Sequence, residues 1–154
     1  MERKIVDFKL DEAGDWTAIL SCGHPQHTRH RPPFEKRSWV LSQEGRDSMI
    51  GQFLNCVRCE DFEIPAGFSK FKVTSEFTEE SLPDGLRKDH RTSEGIWGRI
   101  VVLEGKLLYH VESRGIKAEL VPDRPGIVVP ELLHWVEPIG HVRFVVEFLR
   151  RDRR

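Results

Sequence analysis

Three cysteines, Cys22, Cys56 and Cys59, lie early in the chain beside His24, His27 and His30. A Cys-x-x-Cys pair holds two thiolates on one tight turn, and tetrahedral zinc takes four Cys or His ligands. Cys56 and Cys59 supply one half of such a shell. Cys22 and a histidine supply the other, with His24 at Cys-x-His spacing or His27 at Cys-x4-His spacing. Spacing alone leaves both histidines open. The stretch from Cys22 to Cys56 is longer than the roughly 15–20 residues of a simple ribbon, although lengthening a loop costs little closure entropy. A catalytic redox pair is the competing reading. It leaves Cys22 and His24 without a role, and no βαβ pattern surrounds the pair. The expected cofactor of this segment is a structural zinc ion.

A second set of candidates lies in residues 90 to 137. His90 opens the block His90-Arg91-Thr92-Ser93-Glu94-Gly95-Ile96-Trp97-Gly98, and His134 closes the block Gly126-Ile127-Val128-Val129-Pro130-Glu131-Leu132-Leu133-His134. With a strand ending in Val-Leu-Glu-Gly, a tight turn and then Pro-x3-His, the two blocks resemble the two-motif layout of cupins, which implies that one histidine from each faces into a barrel and meets its counterpart at a divalent metal or small ligand. Glu94, His110 and Glu147 are the side chains that would complete a metal shell. Alternation sets Arg143, Val145 and Glu147 on one face of a strand and Phe144, Val146 and Phe148 on the other. If the phenylalanine face fills the core, Glu147 points outward.

The elements that must position these groups differ between the two halves. Lys4 to Leu10 and Trp16 to Leu20 alternate around the turn residues Asp11-Glu12-Ala13-Gly14-Asp15, which predicts a hairpin. Ser42 caps a short helix over Gln43 to Ile50. Past Pro65 and Gly67 the chain reads as short β-rich runs: Ile96 to Leu103, Leu107 to Glu112, Ile116 to Val121, Ile127 to Val129, His134 to Glu137 and Val142 to Leu149. Turn signals separate them, among them Glu104-Gly105-Lys106 and Pro138-Ile139-Gly140. The predicted fold is mainly β. Residues 1–64 form a small zinc-stabilised, ribbon-like hairpin module; for residues 69–150 the strand spacing indicates an all-β barrel or sandwich, and the resemblance to cupins implies a cupin-like double-stranded β-barrel.

Composition narrows the function. The 154 residues hold 24 Lys plus Arg against 25 Asp plus Glu, for a net charge of -1. That balance argues against a general nucleic-acid binder. A local basic stretch (Arg29, His30, Arg31, Lys36, Arg37, Arg46, with Trp39) keeps such a contact open as the alternative. No apolar run approaches the roughly 18 residues of a membrane span, so no membrane partner is expected. The start lacks a secretory apolar stretch and the cysteines are few, so the expected location is the reducing cytoplasm.

Two resemblances extend this reading. Cys22-Gly23-His24-x2-His27-x-Arg29-His30-x-Pro32-Pro33, Arg37-x-Trp39-Val40-Leu41, Gly45-Arg46 and Cys56-x2-Cys59 resemble a small uncharacterised bacterial domain family, taken to be zinc-ribbon-like. The second half resembles the tellurite-resistance-type cupin family in Glu76-Phe77, Leu82-Pro83-x-Gly85-Leu86, His90-x-Thr92, Gly95-x-Trp97-Gly98, Gly105-x-Leu107-x-Tyr109, Pro130-x3-His134-x2-Glu137 and Arg143-Phe144-x-Val146-Glu147-Phe148. Such domains occur alone or fused to a tellurite-detoxifying methyltransferase, and no Gly-rich cofactor loop of a methyltransferase is present here. A metal cupin supplies two histidines and a glutamate from its first motif; Gly98 stands at the usual glutamate position. The resemblance implies a metal-binding bacterial stress protein whose barrel takes a small ligand or toxic oxyanion, in oxidative or nitrosative stress. The expected assembly is a homodimer through the barrel. Whether it is an enzyme stays open. A regulator or adaptor that contacts nucleic acid or protein through the zinc module is the alternative.

Overall fold

The computed structural model describes residues 1–153. The chain divides into two compact units, Met1–Ala66 and Gly67–Arg154.

In the first unit, β1 (Glu2–Leu10) and β2 (Trp16–Leu20) form the expected hairpin. The Asp11 carboxylate accepts from the Ala13 and Asp15 amides and ties the turn. β3 (Pro25–His27) pairs with β2, and β4 (Phe53–Asn55) pairs with the start of β1. The four-stranded order is β3-β2-β1-β4. Helix α1 (Gln43–Met49) begins where Ser42 accepts a hydrogen bond from the Gly45 amide. A one-turn helix, α2 (Val57–Glu60), starts at Cys56. The hydrocarbon core is small: Ile5, Ala18, Leu20 and Val40 are buried, with the three cysteines around them.

The second unit is built on two long antiparallel strands, β7 (Trp97–Val111) and β10 (Trp135–Arg151). β5 (Phe68–Val73) and β6 (Phe77–Thr78) line the outer edge of β10, and β8 (Ile116–Leu120) and β9 (Gly126–Val128) line that of β7. The sheet curves into a half-barrel, and the unit is mainly β as the sequence predicts.

The turn signals at Glu104-Gly105-Lys106 and Pro138-Ile139-Gly140 do not end strands. They face each other across the β7–β10 pair, where the register slips between Ile139 and Val142. Both strands bend together there. Gly105 has φ +84°, and a Cβ on it would collide with the His141 backbone, so glycine is required at the bend. β5 and β6 fall where the sequence reading placed no strand. β5 is exposed at five of its six positions, so its pattern shows no buried face.

Candidate functional site

The first site is assembled by β1. Leu20 ends β2, and a tight turn follows in which the Gly23 amide donates to the Leu20 carbonyl and the Leu20 amide to that of His24. Gly23 at φ +98° makes this knuckle possible and points Cys22 and His24 inward. On the other side of β1, Glu2 pairs with Asn55, and the Cys56 amide donates to the Met1 carbonyl at 2.7 Å. β1 therefore lies between the two segments and brings Cys22 to within 3.8 Å of Cys56 across 34 residues of sequence.

The four ligand atoms of Cys22, His24, Cys56 and Cys59 lie within 4.8 Å of one another, and all four residues are buried. His24 Nδ1 lies 3.4 Å from Cys22 Sγ, 3.4 Å from Cys56 Sγ and 3.8 Å from Cys59 Sγ. Zinc–ligand lengths in a tetrahedral shell imply S···S near about 3.8 Å and S···N near about 3.6 Å. The donor set and its spacing fit a metal such as zinc. The electrostatics point the same way. Hydrogen bonds from Cys22 and Cys59 pull the Cys56 thiol far down, while the same crowding pushes that of Cys59 up. Crowded in one dry pocket, the three sulfurs cannot all ionise without a cation between them. Burial opposes charge on His24, yet hydrogen bonds to Cys22 and Cys56 lift it to about 9.

The structure separates the two candidate histidines. His27 ends β3 with its ring 64% exposed, 3.6 Å from the Asp11 carboxylate, and is not among the thiols. His30 accepts from the Arg37 amide at 2.9 Å and shapes its loop.

The second site lies in the half-barrel. His90 and His134 form an isolated β-bridge, with reciprocal backbone hydrogen bonds of 2.7 and 2.9 Å. Their rings stand 5.6 Å apart and nearly perpendicular. Both line a cavity of about 300 Å³ whose other walls include Phe77, Leu86, Ile100, Val128, Val136, Phe144, Val146 and Phe148, with Thr74 and Thr92 as further polar groups. The Phe face of β10 thus turns inward.

The other three candidates are placed elsewhere. Glu147 faces the opposite side, between Lys70 and Arg99 at 3.1 Å each. Partial burial opposes its charge, but those two cations hold its carboxyl below the usual range. His110 stacks flat on Trp135, with ring centres 3.7 Å apart, and its Nε2 is 3.3 Å from Glu137. Glu94 is exposed before β7. A Cβ on Gly98 would stand 2.9 Å from Val128 Cβ, so no carboxylate fits there without moving β9. Among the described lining residues the cavity offers two imidazoles and no carboxylate or thiol. The donor set does not fit a metal shell of the cupin kind.

Tyr109 was not among the sequence candidates. Its ring packs 5.8 Å from that of His134, and its hydroxyl donates to the Ile127 carbonyl. The alternation Leu107, Tyr109, Val111 was the available signal, since all three are buried on one face.

Burial lowers the His134 pKa, a hydrogen bond with the Leu132 carbonyl opposes that shift, and His90 adds to it. The sign follows from linkage. The unfolded chain binds the proton more readily, so stability is present above the ordinary imidazole value of 6.5 and is lost as pH falls through the folded value. The second unit is expected to melt at lower temperature at pH 5.5 than at pH 7.5. His134→Gln should reduce that difference, as followed by thermal melts at both pH values. An unchanged pH dependence in the variant would assign the effect to other groups.

Comparison with known proteins places both units. Residues 6–63 match the model of DUF3565, a protein family of unknown function. Residues 72–146 match the TehB-like domain model. The second unit is a TehB-like domain. Two solved structures share its fold. TehB from Haemophilus influenzae aligns at 24% identity and a TM-score of 0.52, over 56% of this chain and 32% of that one. A structural-genomics target from E. coli (strain K12) aligns at 18% identity and a TM-score of 0.53, over 59% of this chain and 98% of that one. The chain therefore spans about a third of the length of TehB. No curated protein matches it. Among the described residues, no helix is long and apolar enough to cross a membrane.

Proposed function

We propose that this chain is a zinc-stapled ligand-binding protein of the tellurite-resistance type, acting in a stress response. In the first unit zinc is held by Cys22, His24, Cys56 and Cys59. Four protein ligands close the shell, so the ion supplies folding energy and leaves no position for substrate. The TehB-like unit takes a small, largely apolar molecule into its cavity. The observation that supports this is the lining itself: hydrocarbon walls with two adjacent imidazoles as the polar points of recognition. Neither Arg nor Lys is among the described lining residues, so an uncharged organic molecule suits the cavity better than a hydrated oxyanion.

Apolar protein cavities of this scale bind small aromatics, so indole is a suitable probe. In an amide NMR titration, indole should shift His90, Thr92, Val128 and His134. His134→Ala, which enlarges the cavity and removes a polar point, should change its affinity. No shift, or shifts elsewhere on the unit, would remove the ligand-binding reading.

The nucleic-acid alternative finds less support. Arg29 and Arg31 both reach the Asp15 carboxylate. Arg46 is buried, donates to the Val40 carbonyl and stacks over Trp16. Trp39 packs edge-on against Phe8. Much of the basic stretch thus serves the module's own packing.

A further inference from the structure

The geometry points to Cys56 as a site of oxidation by hydroperoxides, with Cys22 as the resolving thiol. This inference rests on the zinc reading above. All four ligands are buried, and of the four it is Cys56 that also borders a surface groove. Cys22 and Cys59 are 0% exposed, whereas Cys56 is 3% exposed. Cys56 also lines a surface groove of about 260 Å³, together with Pro25, His27, Asn55, Val57 and Arg58; Cys22 and Cys59 do not. A small oxidant entering the groove therefore meets Cys56 before Cys22 or Cys59. Zinc keeps that sulfur deprotonated, the form that attacks peroxides. Cys22 Sγ lies 3.8 Å from Cys56 Sγ, within reach of a resolving attack.

The chemistry balances with a hydroperoxide as the named oxidant. Cys56 Sγ attacks the terminal peroxide oxygen; the O–O bond breaks and hydroxide or alkoxide leaves, giving a sulfenic acid. Cys22 Sγ then attacks Cys56 Sγ. The S–S bond forms, the S–O bond breaks and hydroxide leaves. Two thiolates lose two electrons, and the peroxide gains them as water and alcohol once water supplies the protons. The disulfide removes two of the four donors, leaving His24 and Cys59, which do not complete a tetrahedral shell. The ion departs and the first unit loses its staple.

The test uses the full chain, purified with its metal, and hydrogen peroxide as the probe. Zinc content is measured first, release is followed with a zinc-sensitive dye, and disulfides are mapped by mass spectrometry. The expected result is release of about one zinc per chain, coupled to a Cys22–Cys56 disulfide. Val57→Trp alters an exposed groove residue that is not a ligand. It should keep the zinc content and slow release by about fivefold or more, because reactivity follows exposure. Zinc-loaded protein that forms a Cys22–Cys59 or Cys56–Cys59 bridge instead would overturn the inference, as would release at an unchanged rate in Val57→Trp. Protein that carries no zinc before peroxide is added overturns the zinc reading, and this inference with it.

Discussion

Removing the metal with a strong chelator is expected to unfold the first unit and leave the TehB-like unit folded. Amide resonances of Met1–Ala66 should collapse into the narrow range of a disordered chain. Those of the second unit should stay dispersed. The size of the effect follows from the core. Ile5, Ala18, Leu20, Val40 and Pro65 are the buried hydrocarbon side chains of this unit besides its cysteines. So small a set of apolar side chains leaves little hydrocarbon burial to offset the ordering entropy of the chain. Structural zinc contributes about 10–16 kcal/mol in small modules at neutral pH, which is more than the typical net stability of a whole domain. Cys59→Ser, which removes a fully buried ligand, should act like the chelator. If the chelated protein keeps a dispersed first unit, its fold rests on something other than the metal.

The second large effect is expected at Trp97. Among the described residues this is the largest fully buried side chain; it opens β7 and pairs with Leu149 of β10. Trp97→Ala should cost about 3–5 kcal/mol through lost contacts and the cavity left behind. Domains of this size are stable by only about 5–15 kcal/mol, so the thermal midpoint of the TehB-like unit should fall on the order of 15 °C or more. The first unit has its own core and should keep its transition. Calorimetry on the full chain distinguishes the two. A loss below about 1 kcal/mol would mean the neighbours collapse into the space, which a close-packed sheet resists.

Residue types and periodicity were enough to delimit much of the protein. The cysteines and histidines named a tetrahedral soft-metal site because few other chemistries use that donor set at that spacing. The hairpin of β1 and β2 and the cap at Ser42 were legible because turn residues and alternation act over a few neighbours. Where long strands met in pairs, local signals misled. Gly105 and Gly140 each read as a turn, and only their opposition across β7 and β10 converts two turns into one shared bend.

Choices between equivalent options belonged to the tertiary structure. His24 and His27 are both within plausible reach of Cys22 in sequence. Pairing of Pro25–His27 with β2 leaves the His27 ring exposed beside Asp11, and the knuckle at Gly23 directs His24 onto the thiols. Alternation sorted Glu147 from Phe148 but could not say which side was inside. The half-barrel's curvature decided that, by closing Phe144, Val146 and Phe148 around the cavity and leaving Glu147 to Lys70 and Arg99. The physical reason is the same in each case. A sequence records which side chains share a face, whereas the direction of that face is set by the strands packed against it, and those lie tens of residues away.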